Sequence, residues 1–158
     1  MARSKITFFS LTVIFLACLL ARCDNKDPFE FPVVYLDVTI NISTDPEFMV
    51  LAGAGNSIEL TKHPNGDNSI GYDNNGIIVY NTGYDLDPYY AFDRTCPHDL
   101  PESIAVESNG NSATCPQCGS VYVFPSDGQP AIGSVSKYYL KKYKTYFNPN
   151  TGELRITN

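Results

Sequence analysis

The sequence predicts an all-β fold of small antiparallel sheets or a partial barrel. Val34, Leu36, Val38, Ile40 and Ile42 alternate with Tyr35, Asp37, Thr39 and Asn41, the period of a half-buried strand. Eleven Tyr, nine Phe, eleven Gly and eleven Pro among 158 residues favour strands and turns over helices. No helical period is sustained beyond the N-terminal segment. With 43% hydrophobic and 18% charged residues the chain is globular, long enough for one domain and a short extra segment.

That extra segment comes first. Arg3 and Lys5 precede an apolar run of 16 residues, Ile6 to Ala21, shorter than a membrane-spanning helix requires. A basic start and a short apolar run form a secretory signal, assigned to residues 1–22. Leu20-Ala21-Arg22-Cys23 followed by polar Asp24-Asn25-Lys26-Asp27 resembles a bacterial lipoprotein signal. Arg22 stands where that pattern has a small residue, and Leu16-Ala17-Cys18 is a weaker competing site. The resemblance implies lipidation at Cys23 and a place in the bacterial cell envelope, on the periplasmic or outer-membrane side. Cleavage before Cys23 removes three positive charges from a chain of net charge −6, leaving −9. Lipid, not charge, then holds the domain to the membrane. Residues 23–32 read as a tether and residues 33–158 as the domain.

Within the domain, Asp45-Pro46 ends the first strand, and Phe48 to Leu51 begin a short helical turn that Gly53 and Gly55 close. Residues 61–76, dense in Asn, Gly and Asp, read as turns. Strands are expected over Ile77–Tyr80, Tyr89–Phe92, Val121–Phe124, Tyr138–Leu140, Tyr143–Phe147 and Leu154–Ile156.

Reactive side chains concentrate between residues 96 and 122. Cys96-Pro97-His98 is followed by sixteen residues and then Cys115-Pro116-Gln117-Cys118. Thiolate and imidazole are the ligands of zinc and iron–sulfur centres, and two close pairs after strands can face each other from two loops. The pattern resembles the Rieske iron–sulfur domain, whose Cys-x-His and Cys-x-x-His are separated by a spacer of similar length. Tyr90-Ala91-Phe92-Asp93 resembles the strand entering the first loop, and Gly119-Ser120-Val121-Tyr122 the family's Gly-Ser-x-Tyr. Gly128-Gln129-Pro130 with Gly133 is similar to the proline loop over the cluster, and Gly152-Glu153-Leu154 to the last hairpin.

The resemblance implies a [2Fe-2S] cluster with Cys96 and Cys115 on one iron and His98 with Cys118 on the other. Cys118 stands where the family has its second histidine. Ser120 and Tyr122 would hydrogen-bond sulfur and raise the potential. A third thiolate makes the oxidised centre one charge more negative than a two-histidine one. Its potential is therefore expected below the two-histidine range of about −150 to +300 mV, toward the four-cysteine value near −400 mV.

Three Cys and one His also make a structural zinc set. A metal-free domain with Cys115 and Cys118 as a disulfide is a further reading in an oxidising compartment. A thioredoxin-like dithiol is disfavoured, because a β-rich Val121-Tyr122-Val123-Phe124 follows and not the helix that lowers a cysteine pKa.

The function expected is one-electron transfer with an unidentified redox partner, not enzymatic turnover; the alternative is a zinc or metal-free interaction module. Two histidines, His63 and His98, cannot supply both this centre and an oxygenase iron. The acidic balance excludes a nucleic-acid partner. His63 reads as a turn residue, Asp99 and Glu102 as solvated loop acids, and Lys137, Lys141, Lys142 and Lys144 with their neighbouring tyrosines as a solvated sheet face.

Overall fold

The chain is described from a computed structural model over residues 30–158; the expected signal 1–22, Cys23 and the tether up to residue 29 lie outside the described residues. In chain order the strands are β1 (Asp37–Asn41), β2 (Ser57–Leu60), β3 (Ile77–Asn81), β4 (Tyr89–Asp93), β5 (Glu107–Asn109), β6 (Ser112–Thr114), β7 (Val121–Val123), β8 (Gln129–Pro130), β9 (Lys142–Asn148) and β10 (Glu153–Thr157). Six of them form an antiparallel sheet, β1-β10-β9-β4-β3-β2, that curls into half a barrel. The other four form a small sheet in sequential order, β5-β6-β7-β8. The fold is all-β, as the sequence predicts; helical structure among the described residues is limited to single 3₁₀ turns such as Met49–Ala52. No helix among the described residues is long and apolar enough to cross a membrane.

Alternation builds the inner face of the half-barrel. Val38 and Ile40 of β1 and Leu154 and Ile156 of β10 pair directly, Val38 with Ile156 and Ile40 with Leu154, and all four are buried. They pack with Leu51, Leu60, Ile77, Val79, Ala91 and Tyr143 into one core. β3 differs: all five of its residues are buried. Ile77 and Val79 face the first core, while Ile78 and Tyr80 face a second. A strand covered on both faces reads as a continuous apolar run, as Ile77-Ile78-Val79-Tyr80 does. The small sheet supplies the second cover. Tyr122, Phe124, Val106 and Ala113 pack on Ile78, Tyr80 and Phe92, with the Phe92 and Phe124 rings stacked at 5.7 Å.

Two strand expectations are corrected. The first strand begins at Asp37, not Val34: its outermost main-chain pair is Asp37 with Thr157, and the Leu36 N–H turns to the Asn158 side chain. Tyr138–Leu140 is not a strand. Ser136 Oγ donates to Tyr138 O and accepts from Tyr138 N–H, and Leu140 N–H goes to Gly128 O, so these backbone groups are engaged outside a strand ladder. Strands β2, β5, β6 and β8 are additions that the sequence did not announce.

The chain leaves the large sheet after Asp93 and re-enters it at Lys142, which pairs with Phe92. The excursion over 94–141 carries the small sheet and every expected metal ligand.

Candidate metal centre

Two loops of this excursion meet. The first is pinned at its base. Asp93 takes the N–H groups of Thr95 (2.8 Å) and Tyr72 (2.7 Å) and the hydroxyl of Tyr143 (2.7 Å). Burial, with the Asp93 charge beside it, pushes the Tyr143 phenol far up from its ordinary value. Asn75 Nδ2 donates to Thr95 Oγ1 and to Ser103 O, closing the loop from the side. Arg94 donates to Val106 O and pairs with Glu59 at 2.8 Å. Cys96 N–H bonds Ile104 O, and a 3₁₀ turn over Leu100–Glu102 begins at Asp99.

The second loop joins β6 to β7. Cys115 N–H bonds Ser120 O, and Gly119 N–H returns to Cys115 O. Gly119 has φ +70°, a left-handed conformation that glycine adopts without strain and that lets the turn close behind Cys118. A third segment lies over this loop. Ser136 N–H donates to Ser120 Oγ at 2.9 Å, and Val121 N–H donates to Ser134 Oγ.

The donor atoms of Cys96, Asp99, Cys115 and Cys118 all lie within 4.8 Å of one another. Cys96 and Cys115 are fully buried, Cys118 is half-buried, and Asp99 is 7% exposed. Three of the four expected ligands therefore come together. His98 is exposed and does not belong to this group. Asp99, expected to be solvated, takes the Cys115 thiol at 3.1 Å and the Cys96 thiol at 3.3 Å on the same Oδ2. Glu102 is exposed, as expected.

Both hydroxyls singled out in the sequence meet a cysteine sulfur. Tyr122 Oη lies 3.2 Å from Cys96 Sγ, and the Cys118 thiol donates to Ser120 Oγ at 3.2 Å. Desolvation raises the Cys96 and Cys115 thiols above their ordinary values, Cys115 further, and it raises the Tyr122 phenol as well. Burial acts on Asp99 in the same direction, but hydrogen bonds from the thiols of Cys118, Cys115 and Cys96 outweigh it and hold the carboxyl below the usual range. Burial thus favours the neutral form of the Cys96 and Cys115 thiols, while their hydrogen bonds favour the charged form of Asp99.

Thiolates and a carboxylate suit a borderline cation, and the spacing suits a small one. Tetrahedral ligation at about 2.3 Å places sulfurs about 3.8 Å apart. Cys96 Sγ and Cys118 Sγ are 3.7 Å apart. A two-iron core adds the iron–iron separation between ligands on opposite irons, so Cys118 must stand off from Cys96 to hold one. The donor types fit both; the spacing fits a single ion directly.

Elsewhere, His63 is a turn residue: its Nδ1 accepts from Asn65 N–H and its Nε2 lies 3.2 Å from Asp37 O. The lysine–tyrosine segment is only partly a solvated face. Tyr143 is buried, and Lys142 Nζ lies 3.4 Å from the Tyr90 ring centre and 2.7 Å from Asp127.

No family model and no curated protein matches the chain. Similar solved structures include a chain of the complex of reduced oxygenase and oxidized ferredoxin in carbazole 1,9a-dioxygenase (18% identity, 77% of this chain and 100% of that one, TM-score 0.46). Another is the Sphingomonas yanoikuyae B1 ferredoxin (15% identity, 68% and 92% covered, TM-score 0.43). A third is a quaternary ammonium Rieske monooxygenase with gamma-butyrobetaine (18% identity, TM-score 0.48), where the match spans 78% of this chain and 32% of that one.

Proposed function

We propose that the chain is an exported one-electron carrier of Rieske-like type, lipid-anchored at Cys23 in the bacterial cell envelope. Cys96, Cys115 and Cys118 supply thiolates to a [2Fe-2S] core, with His98 the fourth ligand that the resemblance implies. One observation carries the reading: three cysteine sulfurs from two loops converge in the interior, two of them already met by hydroxyl groups. The bound cluster would take up and return one electron. The protein's part is to keep water from Cys96 and Cys115, and to offer hydroxyls to sulfurs whose charge grows on reduction. The redox partner is a protein that meets the exposed edge beside His98.

The test is composition. The purified full chain should be brown and hold about two iron and two sulfide. Electron paramagnetic resonance of the reduced protein should show a spin-half signal. A colourless chain holding one zinc would favour the second reading, a structural or interaction module, which the single-ion spacing around Asp99 supports. A chain that takes up neither metal would sink the electron carrier and the zinc module and leave the metal-free interaction module.

A further inference from the structure

The resemblance gives the fourth ligand position to His98. We propose that Asp99 fills it, so that the centre is held by three cysteines and a carboxylate. This rests on the reading that the site holds a metal, and it applies to the iron–sulfur and zinc forms alike.

Four observations support it. The first is geometric: Asp99 Oδ2 lies within hydrogen-bond distance of two cysteine sulfurs and shares the 4.8 Å group with the third, whereas His98 is exposed. The second is a symmetry between the loops. Cys96-Pro97-His98-Asp99 and Cys115-Pro116-Gln117-Cys118 each place a donor three residues after the cysteine of a Cys-Pro pair. In the first loop that donor is Asp99, and the 3₁₀ turn starting there points its carboxylate back at Cys96. His98 and Gln117 occupy the same middle position, and both are exposed.

The third is charge. Asp99 is buried, and none of the ion pairs among the described residues includes it. The thiol hydrogen bonds that stabilise this carboxylate are lost once the cysteines ionise to bind a metal, and a cation placed among the sulfurs would then take over as its partner. The fourth is position: a carboxylate oxygen is a recognised zinc ligand beside sulfur, so the donor type is competent where it stands.

A consequence follows for the iron–sulfur form. Two ferric ions and two sulfides carry +2; three thiolates and a carboxylate bring the oxidised centre to −2, the charge of a four-cysteine site. Asp99 ligation therefore predicts a lower potential than His98 ligation, with no imidazole to take up a proton on reduction.

The test uses the reduced full chain titrated with cobalt(II), and the iron- and sulfide-loaded chain for spectroscopy. Near-ultraviolet circular dichroism checks that each variant folds. Loss of an outer-shell partner weakens metal binding about 10–100-fold, so Asp99→Ala should cost at least that. His98→Ala should change affinity less than about twofold by the same scale. Asp99→Cys should restore binding and raise the thiolate-to-cobalt absorbance by about one third, in proportion to four thiolates in place of three. A merely structural Asp99 would not produce that gain. In the reduced iron–sulfur form, nitrogen hyperfine coupling should be absent from the wild type and present in Asp99→His.

Strong metal binding in a folded Asp99→Ala chain, with loss in His98→Ala, would overturn the assignment to Asp99 and leave the metal-centre reading standing. A wild-type chain that binds neither cobalt nor iron would overturn both.

Discussion

The two cores meet across β3 and β4 and are built by different rules. The core inside the half-barrel is mostly aliphatic, from Val38 and Ile40 to Leu154 and Ile156, with Tyr89 and Tyr143 added, and its β1–β10 pairs follow directly from strand alternation. The core under the small sheet mixes Phe92, Tyr122 and Phe124 with Cys96 and Cys115. Around it lie Asp93, Thr95, Asp99, Ser120 and Ser136, all buried, and no buried side-chain nitrogen or oxygen among the described residues lacks a partner. The first core makes the domain stable. The second places polar atoms and sulfur at fixed distances, at the cost of desolvating them, and depends on every partner being present.

The comparison can be broken by substitution. The largest effect belongs to the apolar side: Leu154→Ala should lower the unfolding free energy by about 3–5 kcal/mol. The loss should be equal with and without metal, as read by denaturant titration. Removing metal is next. A ligand bound only by the native state and present at a hundredfold excess over Kd adds about 2.7 kcal/mol, which a chelator should abolish. Melting temperature should fall accordingly in the wild type and stay unchanged in Cys115→Ser.

Tyr143→Phe should cost about 1.5 kcal/mol, the low end for a bond to a charged acceptor, since Asp93 keeps its two main-chain donors and loses only the phenol. If Tyr143→Phe instead disturbs cobalt binding as strongly as Asp99→Ala, the base of the first ligand loop is not independent of the centre. The smallest effect lies at the surface. The Arg155 hydrogen bonds hold the Asp37 carboxyl below its ordinary value. A depressed carboxyl contributes stability that is fully present above the ordinary pKa of about 3.9 and is lost as pH falls through the lowered folded value. Arg155→Gln should flatten that small acid limb in a pH-resolved melting series.

The half-barrel was legible where strands alternate or run continuously apolar: β1, β3, β4, β9 and β10 were each expected to within a few residues. Of the small sheet only β7 was, as the expected strand at Val121–Phe124. β5 and β6 are three residues each and mostly polar, with Ala113 the one buried side chain between them, so no period could form. β2 has four residues, of which only Leu60 is fully buried. Tyr138–Leu140 misled because its aromatic run resembles a strand, while Ser136 had already taken its backbone groups.

At the site, cysteine spacing was informative because thiols at short, paired intervals are rare outside metal or disulfide chemistry. The burial of Asp99 was not. Acids in loops are ordinarily solvated, and only the cover of the second loop takes this one out of water. Its one trace in the chain is the shared Cys-Pro-x-donor pattern of the two loops, which compares Asp99 with Cys118 and sets His98 beside Gln117.

The sheet neighbours β4 and β9 are joined by the whole excursion over 94–141, so its excision and replacement by a tight turn would leave the large sheet's strand order intact. What excision would strip bare is the outer side of β3 and β4, where Ile78, Tyr80 and Phe92 now rest against the small sheet. The excursion is thus retained as roofing whatever becomes of its cargo: a descendant that mutated every donor would still need its hairpins to keep that slab dry. Loss of chemistry and loss of architecture are decoupled here, and drift can empty the centre without unmaking the fold.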